Sequence, residues 1–450
     1  MGGGTSIILK KDKKSDYDVS ASPFSLSSYE FGDTLGHGSF STIRLALHEF
    51  YCKQLAMKEV KLGSRCAEKN ADLFTTEVSA LRILGRHPNL PYLHVAFVEG
   101  RSCYLGLDHI NGGDLRYHIN HGKGFTIKQT AFIVGSLGSA LKHMHRHGMI
   151  HRDIKPENII LNAYGVPVLV DLGITYIEMA EVPPLCSSSS GTQEYLAPEV
   201  LTSGHRHSIH ADYWSLGIVM YELLFDQRPF ATHCCKKYIY FSDNHYFRLW
   251  DRLEKLRASG KDVIQIDWEE LSSGSEEERL RILRFPNYDV PLEPDGSLPV
   301  SLRVPIPHTT ALGETTFDVF AELLSGLLDV RIPLRLGVGN KYAHFMKLVS
   351  LLCRGEEAGE DSHVVPVYVP DTEQVAQYLK GKYAYNNMLQ SLDVVDENEA
   401  NIPFVRLDEV SVKDVEYVSP EFAQVCNVIP SKFRTTSDMT ASQSESGYSP

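Results

Sequence analysis

No stretch of the 450 residues holds 18 or more consecutive apolar side chains, so nothing in it has the length to cross a bilayer as a helix. No apolar segment follows the first residues, which argues against a secretory leader. Paired cysteines are missing as well. The eight present are scattered, and Cys234 and Cys235 are adjacent rather than in C-x-x-C spacing. That pattern fits reduced thiols better than a disulfide framework. Basic charge is scarce: 44 Lys and Arg stand against 57 Asp and Glu, a formal net charge of −13. A general nucleic-acid binder would carry a basic footprint, so the acidity argues against that class. What the chain does have is 43% hydrophobic residues, ample for a large core, and a length that suits two or three domains.

Residues 1–28 are polar and rich in Ser and Lys, and are expected to be disordered. The start "MGGGTS" matches an acylation signal at Gly2. One acyl chain binds membranes reversibly and needs a second signal, which Lys10, Lys11, Lys13 and Lys14 supply against anionic headgroups. The competing reading is a Gly-rich tail with a solvated charge run. The expected location is therefore cytoplasmic with peripheral membrane association. From Tyr29, "YEFGDTLGHG", "FSTIRLALHE" and "QLAMKEV" alternate in the manner of strands. "ADLFTTEVSALRILGRH" has helical spacing through Leu73, Val78, Leu81 and Leu84. "CYLGLDHI" is another strand, and helices dominate from "TIKQTAFIVGSLGSALKHMHRHG" onward. Strands first and helices later predict an α+β layout in two lobes. "HYFRLWDRLEKLRAS" reads as helix, "FPNYDVPLEPDGSLPVSLRVPIP" as a Pro-rich loop, and "ETTFDVFAELLSGLLDV" as an amphipathic helix.

Asp171, in "VLVDLGITY", raises a question, because a carboxylate at the end of an apolar strand needs a partner. The answer comes from its neighbours. "HRDIKPENII" over 151–160, "DLG" over 171–173, "GTQEYLAPE" over 191–199 and "DYWSLGIVMYEL" over 212–223 follow one another. In that order they resemble a eukaryotic protein kinase, of the serine/threonine class by Lys155. The resemblance implies a bilobal kinase fold, with a small β-rich N-lobe and a larger helical C-lobe. It also implies MgATP as cofactor and protein substrates. By that resemblance the kinase domain spans 29–346. A tail over 347–434 and a disordered end over 435–450 follow.

Phosphoryl transfer asks for a positioned hydroxyl and screened phosphate charge. Asp153 would take or orient the substrate proton, Lys155 would neutralise the moving phosphoryl group, and Asn158 with Asp171 would hold Mg²⁺. Gly36 and Gly38 of "GHGSFS" would close over the phosphates, although Ser41 stands where the family has a third glycine. Leu35, Ile43 and Ala56 would join them at the nucleotide. Lys58 would reach the phosphates while pairing with Glu77, since an unpaired cation there would be costly. Leu107 is the expected gatekeeper, with the Asp108 and Ile110 backbones on adenine and Asp114 on the ribose, and Glu157 beside them. Leu172 replaces the usual Phe, and is expected to fill its pocket with activity retained.

Arg152 is expected to hold a phosphate on the activation segment, which carries Ser188 and Thr192, with Ser188 the closest match to the AGC site. Asp114, Glu157 and Glu222 would favour substrates basic around the target hydroxyl. Asp212 would brace the catalytic loop and Arg335 would pair with Glu199. The stretch between Phe230 and Asp329 is longer than the family needs, which implies an insertion over about 233–310. "GGDLRYH" and the N-terminal "MGGGTS" look most like the YANK-type kinases of the AGC group. Such kinases carry a tail that wraps the small lobe, a part that "NIPFVRLDEVSVKDVEYVSPEFAQV" could play through Tyr417 and Phe422. The alternative function is a pseudokinase scaffold with little or no catalysis.

Overall fold

The computed structural model describes residues 22–38, 41–48, 51, 53–62, 67–122, 124–178, 186–188, 190–201, 207–229, 233–235, 238–240, 306, 314–329, 332–354, 367–392 and 416–426. The chain divides into two compact units, one of them Met1–Val78, Tyr92–His109 and Gln377–Pro450, the other Ser79–Pro91 and Ile110–Ala376. The fold is α+β, as expected, with a sheet-rich unit and a helical one.

The first unit is an antiparallel sheet. Its strands are β1 (Tyr29–His37), β2 (Ser41–His48), β3 (Gln54–Lys61), β4 (Leu93–Glu99) and β5 (Ser102–Asp108). The order is β1-β2-β3-β5-β4, and a late two-residue strand, Tyr417–Val418, joins the β4 edge. Alternation gives the sheet two different faces. Register places Ile43 and Leu105 opposite Lys58, and Leu45 and Leu107 opposite Ala56. On the reverse face Leu55, Met57, Val95, Phe97 and Tyr104 are buried together with Tyr29, Ala46, Val418 and Phe422. Phe422 is fully buried, stacked on Tyr51 at 4.2 Å and edge-on to His48 at 4.7 Å. Helix α1 (Ala67–Leu84) begins in this unit.

The second unit is built on α3 (Ile127–Arg146), whose capping box joins Thr126 and Gln129. Around it lie α2 (Leu115–His121), α4 (Pro198–Leu201), α5 (His210–Phe225), α6 (Glu314–Leu327) and α7 (Lys341–Arg354). Short strand pairs join them: β6 (Met149–Ile150) with β9 (Tyr176–Ile177), and β7 (Ile159–Leu161) with β8 (Pro167–Leu169). Helix α5 is buried on nearly every side, which explains its lack of a polar stripe. A small hairpin, β10 (His233–Cys235) with β11 (Tyr238–Tyr240), opens the expected insertion. The rest of that insertion lies outside the described residues, apart from residue 306.

The helical unit continues past residue 346. Helix α7 runs past residue 346 and buries Phe345, Leu348, Val349 and Leu352. Gly138 lies so close to Phe345 that a Cβ would meet its ring at 2.4 Å. The helical unit therefore extends at least to Arg354. Residues 367–376 also belong to it. The Tyr368 hydroxyl lies 3.0 Å from His118 Nδ1, and Val375 packs on Gly113. The last helices are α8 (Thr372–Leu392) and α9 (Pro420–Cys426), just after strand β12 (Tyr417–Val418). The acylation signal at Gly2, the lysines at 10–14 and the end over 435–450 lie outside the described residues.

Burial holds two histidines neutral. It lowers His48 to about 4, and its Nδ1 accepts the Tyr51 N–H at 3.2 Å. Burial, with the nearby Arg335 charge, lowers His210 to about 3. Both groups take up protons more readily unfolded than folded, so stability rises with pH between those values and the ordinary 6.5. The melting temperature of the chain is therefore expected to fall as pH drops from 6.5 towards 4. His48→Phe should flatten that slope, as measured by thermal denaturation across the range.

Candidate active site

The segment after β6 is where the polar side chains converge. Arg152 has φ 71 and Asp171 φ 65, a left-handed conformation that Asp adopts more readily than most residues and that is uncommon for Arg. Asp212, at the start of buried α5, imposes it on Arg152. Its Oδ2 accepts the His151 N–H at 2.9 Å and its Oδ1 accepts the Arg152 N–H at 3.0 Å. His145 Nε2 lies 2.8 Å from the same carboxylate, and these partners keep Asp212 ionised despite burial. The expected brace is present.

Asp153 sits at the centre of a closed set of contacts. Lys155 Nζ donates to its Oδ2 at 2.6 Å and to Thr192 Oγ1 at 2.8 Å. The Thr192 N–H and hydroxyl donate to Asp153 Oδ1 at 2.9 and 2.7 Å. Asn158 Nδ2 donates to the Asp153 carbonyl at 2.8 Å and to Oδ2 at 2.9 Å. With that amide nitrogen engaged, the group Asn158 offers a cation is its oxygen, the hard ligand Mg²⁺ prefers. The sequence expected Asp171 at a strand end; β8 instead stops at Leu169, and Asp171 is exposed two residues later. Its charge therefore carries no burial cost. Leu172 beside it is fully buried, as an aliphatic replacement for Phe requires. Among the described residues no cluster of three or more His, Cys, Asp or Glu is preassembled for a metal. Asp171 and Asn158 offer a carboxylate and an amide oxygen, the hard donors Mg²⁺ takes beside phosphates and water.

In the sheet unit, Lys58 Nζ meets Glu77 Oε2 at 2.7 Å, with the Glu77 side chain 3% exposed. The register that sets Ile43, Leu105, Ala56 and Leu107 around Lys58 makes a half-apolar face of the type a purine base takes. Leu35 and Gly36 lie on β1, and Gly36 pairs with Ile43. Ser41 has a structural part. Its carbonyl accepts the Gly38 N–H at 2.8 Å, and a Cβ at Gly38 would stand 2.7 Å from its hydroxyl. Asp108 is pinned at the end of β5 by Lys53 at 2.7 Å and His94 at 2.9 Å. Burial would raise its pKa, but these two partners outweigh that and hold it well below the usual carboxylate range.

In the helical unit, Asp114 is the N-cap of α2 and accepts the Tyr117 N–H at 2.7 Å. Arg335 is 1% exposed; its Nη1 and Nη2 reach Glu199 at 2.5 and 3.0 Å. Arg152 donates from Nε to the Ile174 carbonyl at 2.7 Å and from Nη1 to Ser188 Oγ at 2.7 Å. Ser188 is exposed, so a group added to its oxygen would meet that guanidinium. Ser189 lies outside the described residues.

Two features were missed by reading the sequence. Buried Cys186 lies 3.2 Å from both Arg152 Nη1 and Ser188 Oγ. Burial would raise its thiol, but hydrogen bonds with His207 and Ser188 prevail and lower it to about 6. No spacing motif marks it. The second is Arg116. It donates to Glu157 at 2.8 Å, to Glu222 at 2.8 and 3.2 Å and to the Tyr195 hydroxyl at 2.7 Å. The carboxylates expected to receive basic substrates are therefore already engaged.

A carboxylate held by a lysine and a threonine beside a metal-capable amide, and separately a Lys–Glu pair on the strand-rich unit, are the residue sets found in protein kinases. The chain belongs to the protein kinase family: the family model described as "Protein kinase domain" matches residues 29–338. It is 36% identical to the serine/threonine-protein kinase Sgk1-A of Xenopus laevis over 206 residues, 46% of this chain and 47% of that protein. It is 35% identical to Sgk1 of Danio rerio over 206 residues, again 46% and 47%. It is 32% identical to Protein kinase 2 of Dictyostelium discoideum over 230 residues, 51% of this chain and 46% of that protein. The chain thus spans about half the length of the curated relatives it matches. The likeness is to AGC-group kinases, and the family uses ATP and Mg²⁺ on protein substrates.

Proposed function

We propose that this chain is an active serine/threonine protein kinase that transfers the γ-phosphate of MgATP to protein hydroxyls. The observation that carries this reading is the Asp153 carboxylate, held at once by Lys155, Thr192 and Asn158. Asp153 accepts or orients the hydroxyl proton, with geometry set before substrate arrives. Lys155 lies beside it to offset the developing charge. Asn158 and Asp171 are the residues that would hold Mg²⁺, which supplies charge neutralisation on the phosphates. Leu35, Gly36, Gly38, Ile43, Ala56 and Lys58 would hold the nucleotide, with Leu107, Asp108, Ile110 and Asp114 along its base and ribose and Glu157 beside them. A pseudokinase would be expected to lack one of these groups. The test is phosphoamino-acid analysis after incubation with MgATP and a mixed protein substrate. Phosphoserine and phosphothreonine are expected; phosphotyrosine alone, or no label, would refute the reading.

Within the AGC group we assign the chain to the YANK type, on "GGDLRYH" and the N-terminal "MGGGTS". We also propose that "NIPFVRLDEVSVKDVEYVSPEFAQV" serves as its small-lobe tail through Tyr417 and Phe422; the burial of Phe422 supports this. We further propose acylation of Gly2, with Lys10–Lys14 adding electrostatic hold, so that the protein divides between cytosol and membrane. Gly2→Ala should move it to the soluble fraction, as read by fractionation and by mass spectrometry of the N-terminus. A preference for basic residues around the target would need open carboxylates at Glu157 and Glu222, and Arg116 holds both.

Activation is proposed to run through Ser188. A phosphate there brings −1.5 to −2 charges, roughly, to the Arg152 guanidinium. Replacing Ser187, Ser188, Ser189 and Ser190 together by Ala is expected to lower activity about tenfold, the worth of one charge-assisted hydrogen bond. Initial rates of the variant against phosphorylated wild type check this, and equal rates would exclude the site.

A further inference from the structure

Arg116 is the second residue of α2, and its guanidinium reaches two carboxylates and a phenol. The Glu222 side chain is 6% exposed, that of Glu157 44%, and that of Arg116 25%. Tyr195 completes the set by donating its hydroxyl to Glu222 at 2.6 Å. Burial would weaken the charge on Arg116, but Glu222 and Glu157 more than restore it, and its pKa rises above the ordinary arginine value. This cluster flanks the catalytic carboxylate from two directions along the chain. Glu157 follows Asp153 by four positions in the same loop, and Tyr195 closes the short helical turn that begins just after Thr192, which touches Asp153. A peptide presenting its hydroxyl to Asp153 must lay neighbouring residues close to it.

Two carboxylates with a phenol make a guanidinium-sized acidic subsite. Its natural occupant from a substrate would be an arginine. Here the occupant comes from the protein itself. We propose that Arg116 is an internal mimic of a substrate arginine, so that this kinase gives no advantage to arginine before the target hydroxyl and takes neutral side chains there. The inference rests on the kinase reading and narrows its substrate class. A substrate arginine would have to displace a tethered one, whose effective concentration is in the millimolar range or above. The exchange would form no more charge-assisted bonds than it broke. With Arg116 in place, the three side chains carry a net charge of −1 where a free pair of glutamates would carry −2.

The test is peptide binding by fluorescence anisotropy, with phosphorylation scored separately. The probes are serine peptides with alanine throughout the preceding four positions, and the same peptides with arginine at each of those positions in turn. Wild type is expected to bind the two kinds within about twofold, and Arg116→Ala to bind at least one arginine peptide about tenfold more tightly, the worth of a charge-assisted pair. If wild type already favours an arginine peptide about tenfold, or a folded Arg116→Ala shows no gain, the inference is wrong. The wild-type comparison needs no variant, so it decides the matter even if the loss of Arg116 beside buried Glu222 unfolds the protein. A chain that binds in the expected pattern but transfers no phosphate refutes the kinase reading and leaves the inference standing. A chain that transfers phosphate while favouring arginine does the reverse.

Discussion

Asp171→Asn is expected to keep the fold and lose nearly all phosphoryl transfer. The side chain is exposed on a backbone at φ 65, and Asn tolerates that conformation as readily as Asp. Nothing in the core is disturbed. What is lost is the anionic ligand for Mg²⁺. Such a ligand is worth several kcal/mol in the transition state, so the rate should fall by about 100-fold or more. Melting temperature and kcat measured on the same preparation separate the two effects. A variant with wild-type kcat would remove Asp171 from the mechanism. A variant that fails to fold would assign it a structural role instead.

Arg335→Ala is expected to be the most damaging change to stability. The guanidinium is sealed inside the helical unit and grips Glu199 with two nitrogens. It also donates to the Asp329 carbonyl at 2.9 Å and the His210 carbonyl at 3.1 Å. Trp214 stacks over it at 5.1 Å. Removing it leaves a buried carboxylate with its main partner gone, which costs about 3–5 kcal/mol. Lysine cannot restore the pair, because it offers a point charge where a planar fork is needed. The double variant Arg335→Met, Glu199→Gln should recover part of the loss, since no buried charge then remains. Thermal or denaturant unfolding of the three variants checks the ordering. Equal stability of Arg335→Ala and wild type would contradict it.

These two residues show how far the sequence could be read. Asp171 was legible as a carboxylate after an apolar run, whereas Arg335 was placed only by the kinase resemblance, as the partner of Glu199 in "APE". The strands of the sheet unit were equally legible, because alternation marks a sheet with one buried face. Alternation alone did not distinguish the two faces; the kinase resemblance put Ala56 and Lys58 on the nucleotide side. Whether Lys58 or Met57 faces the core depends on what covers each side, and that cover includes Phe422, more than 350 positions downstream. The end of the helical unit was not legible for a related reason. Helix α7 carries no cap signal near residue 346, and its fit against Gly138 is a tertiary fact. Arg116 was quoted in "GGDLRYH" without a role, since a basic residue on a helix surface is ordinary. Only the geometry shows that it fills the space between two glutamates assigned to substrate. Cys186 was passed over because its low-lying thiol depends on His207 and Ser188, not on a neighbouring cysteine.

The central claim is that the Asp153 cluster performs phosphoryl transfer. The most direct measurement is incorporation of labelled γ-phosphate from MgATP into a serine-containing protein substrate by the purified chain, wild type against Asp153→Ala. Loss of a positioned general base typically costs about 100- to 10,000-fold, so label should accumulate with wild type and fall to near background with the variant. Equal incorporation by both, or none by a folded and phosphorylated wild type, would contradict the account.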